Sequence, residues 1–310
     1  MRPIILILGP TAGGKTSLSI SIARQLDGGG ECVIADSMQV YRGMDIGTAK
    51  PTNHEMGKIK HHLVDIFGAD EDGFTLETWL SSAENAIEKI HSKEKWPIIV
   101  GGTNLYIQAF LYGLFKGPKS DPSIRAKLNS LKNTALHSKL RSVDPDSASK
   151  IHINDKKRII RALEVFEITG VPISVQQEQW TSEPRKNVVI IGLDWPVEMI
   201  NQRINSRVKE MVAVGLLDEV KKLRKALNNQ SREALGYKQF LSFLNGETSE
   251  EEAVEQIKIL TRRYAKQQRT WLKRFRVLPN TLFIDMKNKS MQTAAKEALK
   301  HINAYVLATK

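Results

Sequence analysis

The chain has 310 residues, 41% of them apolar, enough to bury one large core or two smaller ones, which excludes disorder as the default. Lysine and arginine outnumber aspartate and glutamate by 46 to 34, and the resulting charge of +12 fits a polyanionic partner: nucleic acid, an acidic membrane surface or a phosphorylated metabolite. No apolar run approaches the roughly 20 residues of a membrane span, and the single Cys32 excludes an internal disulfide framework and a cysteine-based metal site.

In chain order, Ile4–Leu8 is a branched apolar run that predicts a strand. The glycine-rich stretch from Gly9 interrupts it before a signal-peptide core could form, so a cytoplasmic protein is expected. Leu18, Ile22 and Leu26 have helical spacing and predict a helix over 17–26. A second strand is expected over 32–35, a helix over 79–90, a strand over 97–100 and a helix over 105–114. Strands alternating with helices imply a parallel sheet covered on both faces, with ligands beyond the carboxyl ends of the strands. Gly9, Asp36 and Thr103 all fall at such ends.

Around Lys116 the pattern changes to polar helical segments through 122–169 and a loop through 172–184. A strand over 188–193 and helices over 199–214, 216–227 and 250–276 follow. The expected architecture is an α/β, phosphate-loop-type parallel sheet over 1–114 and 188–310, with a helical insertion domain at 115–187.

Gly9-Pro10-Thr11-Ala12-Gly13-Gly14-Lys15-Thr16 fits the phosphate-loop pattern, between an expected strand and an expected helix. Glycines let backbone amides wrap a phosphate, the helix N-terminus adds a favourable dipole, Lys15 neutralises oxygens and Thr16 can ligate Mg²⁺. A di- or triphosphate ligand is implied. Three further motifs narrow the field: Asp36-Ser37-Met38-Gln39-Val40-Tyr41, Gly47-Thr48-Ala49-Lys50-Pro51 and Gly101-Gly102-Thr103-Asn104-Leu105-Tyr106. With His61-His62-Leu63-Val64-Asp65-Ile66 and Arg161-Ala162-Leu163-Glu164-Val165, they resemble the bacterial tRNA dimethylallyltransferase family, and the resemblance runs from about Ile4 to Arg274.

That resemblance implies that the loop holds the diphosphate of dimethylallyl diphosphate, and that the acceptor is the exocyclic amine of the adenosine 3′-adjacent to the anticodon. A leaving diphosphate presents the same oxygens and the same Mg²⁺ demand as a nucleotide tail. Asp36 matches the catalytic aspartate, placed to accept the amine proton; as a bare Asp-Ser pair it would be a helix cap. Thr103 matches a threonine important for activity, and Arg207 an arginine expected on diphosphate. The implied tRNA footprint is Asp36, Ser37, Met38 and Gln39; Arg125; Lys157, Arg158, Ile159, Ile160 and Arg161; Arg232 and Lys238; and Lys266, Arg269 and Lys273. The chain departs from the family's usual residues at Lys157, Gln239 and Gln267. The acceptor must leave its stack, which costs least in a single-stranded anticodon loop.

Charge placement agrees with an RNA partner. From Lys258 to Arg276 there are eight basic residues and no acidic one. At about 100° per residue, Lys258, Arg262, Lys266, Arg269, Lys273 and Arg276 share one face, with Leu260, Tyr264, Trp271 and Phe275 nearly opposite. A solvated surface helix usually interleaves both signs. His61 and His62 point different ways and have no third partner at metal-ligand spacing, so they are expected to be structural. An adenylate isopentenyltransferase acting on free AMP and a phosphate-loop kinase remain the alternatives; a non-catalytic RNA-binding protein would not require Lys15, Thr16 and Asp36 together. A monomer is expected.

Overall fold

The computed structural model describes residues 1–115, 117–177 and 183–309. β1 (Ile4–Leu8) leads through the glycine loop into α1 (Lys15–Gln25), followed by β2 (Gly30–Ala35), a short α2 (Asn53–Met56), β3 (His61–His62), α3 (Leu76–His91), β4 (Trp96–Gly101) and α4 (Asn104–Tyr112). Then come α5 (Pro122–Asn129), α6 (Asn133–Val143), α7 (Pro145–Lys150), α8 (Lys156–Thr169) and α9 (Ile173–Gln176). The chain returns through β5 (Val188–Asp194), α10 (Val197–Ala213), α11 (Leu216–Leu223), α12 (Tyr237–Leu244), α13 (Glu250–Phe275), β6 (Thr281–Asp285) and α14 (Met291–Ala308).

The six strands form one parallel sheet in the order β3-β2-β4-β1-β5-β6. Strands covered on both faces read as continuous apolar runs, and Ile5, Leu6 and Ile7 have no exposed surface. Burying such a side chain is worth about 1.5–3 kcal/mol. The crossover through α1 runs from β1 toward one edge and that through α3 runs back toward the centre, so with right-handed connections the two helices cover opposite faces. α14 packs against α1. β1 and β4 are adjacent and β2 lies beyond β4, which brings the loops after all three to one end of the sheet.

The chain divides into two compact units: Met1–Ala109 with Arg185–Lys310, and Phe110–Pro184. Among the described residues of the second, the regular elements are all helices, around a core that includes Leu128, Leu136, Leu140, Ile159 and Leu163. Its buried Glu164 accepts both arms of Arg125 at 2.8 and 3.0 Å, Arg161 at 2.7 Å and the Asp121 N–H at 2.8 Å. Lys116, where the composition changes, and 178–182 of the expected loop lie outside the described residues; at 173–176 that loop holds α9 instead.

Five elements besides α9 escaped the sequence pattern: α2, β3 with two residues, α12, β6, of which only Ile284 is buried, and α14. His62 bonds Glu31 at 2.7 Å and His61 bonds the Ile59 carbonyl at 2.9 Å, so both are tied within the sheet edge. No helix among the described residues is long and apolar enough to cross a membrane.

Candidate active site

The phosphate loop turns back on itself through Gly13 N–H to the Pro10 carbonyl at 3.1 Å. Gly14 takes φ +85°, where a side chain would be strained and would also meet the Met291 sulfur. Three of its carbonyls are engaged by side chains: Ala12 O accepts Arg203 Nε at 2.8 Å, Gly13 O accepts Trp195 Nε1 at 3.0 Å, and Pro10 O accepts Lys15 Nζ at 2.9 Å. The Arg203 guanidinium lies 4.6 Å from the centre of the Trp195 ring. Because a peptide is planar, the Gly13 carbonyl held by Trp195 turns the Gly14 N–H the other way.

Three further segments converge on this loop. At the end of β4, a side chain on Gly101 would strike the Ala35 carbonyl at the end of β2, and one on Gly102 would strike the Gln268 amide, so the two glycines admit both neighbours. Thr103, just beyond, accepts the Ser37 N–H on its hydroxyl at 3.1 Å. Asp36 accepts Met38 N–H at 2.9 Å and Gln39 N–H at 3.3 Å, both on Oδ1. It therefore does cap the turn after β2, and its Oδ2 takes no hydrogen bond from any described residue. From α10, Arg207 approaches the Thr11 hydroxyl at 3.5 Å.

Two cavities meet at Asp36. One, of about 180 Å³, is lined by Thr11–Thr16 of the loop with Gln39, Arg203 and Arg207. The other, of about 250 Å³, has apolar walls from Val208, Met211, Leu216 and Ile257, and polar ones from Ser37, Thr48 and Tyr264. Thr11, Asp36, Thr48, Ala49 and Arg207 line both. Burial pushes the Lys15 ammonium down to about 8, helped by the neighbouring Arg207 charge and opposed by Asp36. Burial likewise lowers Arg207, with Arg203 adding to the effect. Asp36 is raised above the usual carboxylate range by burial, against the pull of its backbone donors and Lys15. The pocket thus gathers positive charge that an anion would relieve, beside a carboxylate made more basic than usual.

Thr11–Thr16, Asp36–Gln39 and Arg207 are brought together; Gly9 and Pro10 form the loop's entry, and Thr103 braces Ser37. Other candidates lie apart. Arg232 and Lys238 are exposed on either side of the lining stretch 233–236, with Lys238 paired to Glu233 at 2.6 Å. In the second unit Lys157 and Arg158 are exposed. Ile159 and Ile160 need correcting as side-chain contacts, since both are buried in that unit's core. Arg125 and Arg161 have their guanidinium groups on Glu164. Gln239 is also buried, accepting the Gly236 N–H at 2.9 Å to cap α12, so this departure falls on a cap and not on an exposed surface.

The docking face of α13 is also corrected. Ala253, Ile257, Ala265, Gln268, Leu272 and Phe275 are buried, whereas Leu260 and Trp271 are only half-buried. Of the six basic residues, Lys258 pairs with Glu255, Arg262 with Asn205 and Glu255, and Arg276 with Asp194; Arg269 is half-buried. Lys266 and Lys273 are exposed and make no ion pair with any described residue. Trp195 and Gln268 are site residues that pattern reading missed; a tryptophan just past a strand end was the only signal for the first.

Comparison with known proteins identifies the family. The family model described as IPP transferase matches residues 39–275. A tRNA dimethylallyltransferase of Acetivibrio thermocellus is 44% identical over 100% of this chain and 98% of its own length, and one of Shouchella clausii is 45% identical over 88% of each. Among solved structures, the tRNA isopentenylpyrophosphate transferase of Bacillus halodurans superposes with a TM-score of 0.72 at 38% identity, covering 100% of this chain and 99% of that one. A eukaryotic dimethylallyltransferase solved acting on tRNA gives a TM-score of 0.85 at 28% identity, covering 100% of this chain and 80% of that one. A family match across most of the chain, and relatives of this identity along its full length, establish that the chain belongs to the IPP transferase family.

Proposed function

We propose that the chain transfers a dimethylallyl group from dimethylallyl diphosphate to the exocyclic amine of the adenosine 3′-adjacent to the anticodon in tRNA, releasing diphosphate. The observation that carries this reading is the position of Asp36 at the junction of the cationic phosphate pocket and the chamber with apolar walls. The amine nitrogen forms a bond to the carbon that bears the diphosphate. The carbon–oxygen bond breaks with its electron pair on the diphosphate, and Asp36 takes the amine proton. Lys15, Arg207 and the loop amides receive the charge that develops on the leaving group.

Among the described residues no group of three or more His, Cys, Asp or Glu side chains could hold a metal ion. A hard cation arriving with the diphosphate would fit such a site: the Thr16 hydroxyl would be its protein ligand, and phosphate oxygens and water would supply the rest. Bound there, Mg²⁺ would neutralise diphosphate oxygens. The relatives' names support tRNA as acceptor. Lys266 and Lys273 on α13, Arg232 and Lys238 beside the chamber, and Lys157 and Arg158 on the second unit supply positive charge for it. A free mononucleotide would need none of these, which disfavours the AMP reading. We place the protein in the cytoplasm, acting as a monomer.

Incubation of total tRNA with labelled dimethylallyl diphosphate and Mg²⁺ tests the reading. Label is expected in tRNA, with release of diphosphate and no requirement for ATP. Label confined to AMP, or turnover that consumes ATP, would replace it with one of the two alternatives.

A further inference from the structure

Glu219 lies on α11, outside both cavities, yet its carboxylate accepts four hydrogen bonds. Oε2 takes the Asp45 and Ile46 N–H groups at 3.0 and 2.8 Å; Oε1 takes Gly47 N–H at 3.1 Å and the Tyr237 hydroxyl at 2.5 Å. A carboxylate has about four lone-pair positions, and all are used. The three backbone donors are consecutive and belong to the loop whose next residues, Thr48 and Ala49, line both cavities. Tyr237 follows directly on 233–236, another wall of the larger chamber. The two walls are pressed together here: a side chain on Gly47 would lie 2.4 Å from the Tyr237 ring and 2.9 Å from Leu216.

The connection continues to the reacting centre. Thr48 O accepts Gln39 Nε2 at 3.0 Å, and the Gln39 N–H donates to Asp36 Oδ1. The four bonds of Glu219 go to Gly47, which lines the chamber, and to Asp45, Ile46 and Tyr237, which adjoin its walls, whereas the phosphate loop is held separately by Arg203, Trp195 and Gln268. Although Thr48 and Ala49 also border the phosphate cavity, the hydrogen bonds of Lys15, Arg203 and Arg207 there go to the phosphate loop and not to the 45–49 loop. We propose that Glu219 is a positioning residue for the acceptor: it ties the 45–49 loop to Tyr237 and so fixes the chamber beside Asp36. This rests on the function proposed above. Glutamine cannot replace it, because an amide has one acceptor oxygen and its NH₂ would face two of the donors.

The test is steady-state kinetics of Glu219→Gln and Tyr237→Phe with an anticodon stem-loop RNA, alongside pyrophosphate binding. A misplacement of about 1 Å can cost on the order of 10²-fold. For Glu219→Gln, kcat/KM for the RNA is expected to fall by about 10- to 100-fold, while the donor KM and the pyrophosphate Kd stay within about twofold. Tyr237→Phe, which removes one of the four bonds, should show the same split with a smaller loss, and it serves if Glu219→Gln does not fold. An unchanged RNA kcat/KM, or equal losses toward RNA and pyrophosphate, overturns the proposal. A wild-type protein that binds pyrophosphate but leaves RNA unmodified overturns the functional reading as well, so the two failures are distinguishable.

Discussion

Gln268 accepts the backbone N–H of Thr11 at 2.7 Å and donates to the Gly102 carbonyl at 2.9 Å. One buried amide on the basic helix α13 therefore joins the phosphate loop to the end of β4. Replacing Gln268 with Ala strands the Thr11 N–H, at a cost of about 1–3 kcal/mol, while the Gly102 carbonyl keeps the Tyr264 hydroxyl as a donor. Chemical denaturation should show a loss of that order, and donor KM should rise as the loop loosens. Wild-type stability in the variant would mean that water satisfies the Thr11 N–H.

Lys15 sets a pH dependence on donor binding. Its ammonium is held down to about 8, chiefly by burial and then by Arg207, so above that pH the free protein carries it mostly neutral. A bound diphosphate favours the charged form and raises the value, so binding above pH 8 should take up a proton at this lysine. Calorimetry of pyrophosphate binding near pH 8.5, in two buffers of different ionisation enthalpy, reads that uptake. Lys15→Arg, always charged, should take up fewer protons than the wild type; equal uptake would remove Lys15 as the source.

Asp36 should act as a base only when ionised. Its raised value places the acid limb of the single-turnover rate above the ordinary carboxylate range, with the rate falling as pH drops through it. Asp36→Asn keeps the shape and an acceptor for the Met38 and Gln39 N–H groups but loses the base. The chemical step is expected to slow by about 10²–10⁴-fold, with the pH limb gone and RNA affinity nearly unchanged. A variant with the wild-type rate would return Asp36 to a capping role.

On α13, charge and packing should separate. Lys266→Gln with Lys273→Gln should reduce the slope of log affinity against log salt by about 0.7–0.9 for each RNA phosphate that no longer has a lysine beside it. Both lysines are exposed and outside the packing face, so stability should shift by no more than about 0.5 kcal/mol. An unchanged slope with unchanged affinity would place the RNA elsewhere.

The contrast on that helix shows what the sequence could reveal. Ile4–Leu8, the glycine loop and the strand ends at Ala35 and Gly101 announce themselves because buried parallel strands and phosphate loops need those residue types. The face of α13 was misplaced toward Leu260 and Trp271 because large apolar residues dominate any periodicity. The buried face in fact runs through Ala253, Ile257, Ala265, Gln268, Leu272 and Phe275, and the polar Gln268 within it makes the contacts to Gly102 and Thr11. β6 was missed because this edge strand's apolar run, Leu282–Ile284, is short and only Ile284 in it is buried. Glu219 was invisible for a related reason: three of its four partners are backbone N–H groups, which no residue pattern encodes.

The most direct measurement is nucleoside mass spectrometry of a synthetic anticodon stem-loop RNA after incubation with the protein, dimethylallyl diphosphate and Mg²⁺. The account predicts one prenylated adenosine, at the position 3′-adjacent to the anticodon, formed without ATP and lost when that adenosine is replaced by guanosine. An RNA left unmodified under conditions where the protein binds pyrophosphate, or a prenyl group found only on added AMP, would contradict it.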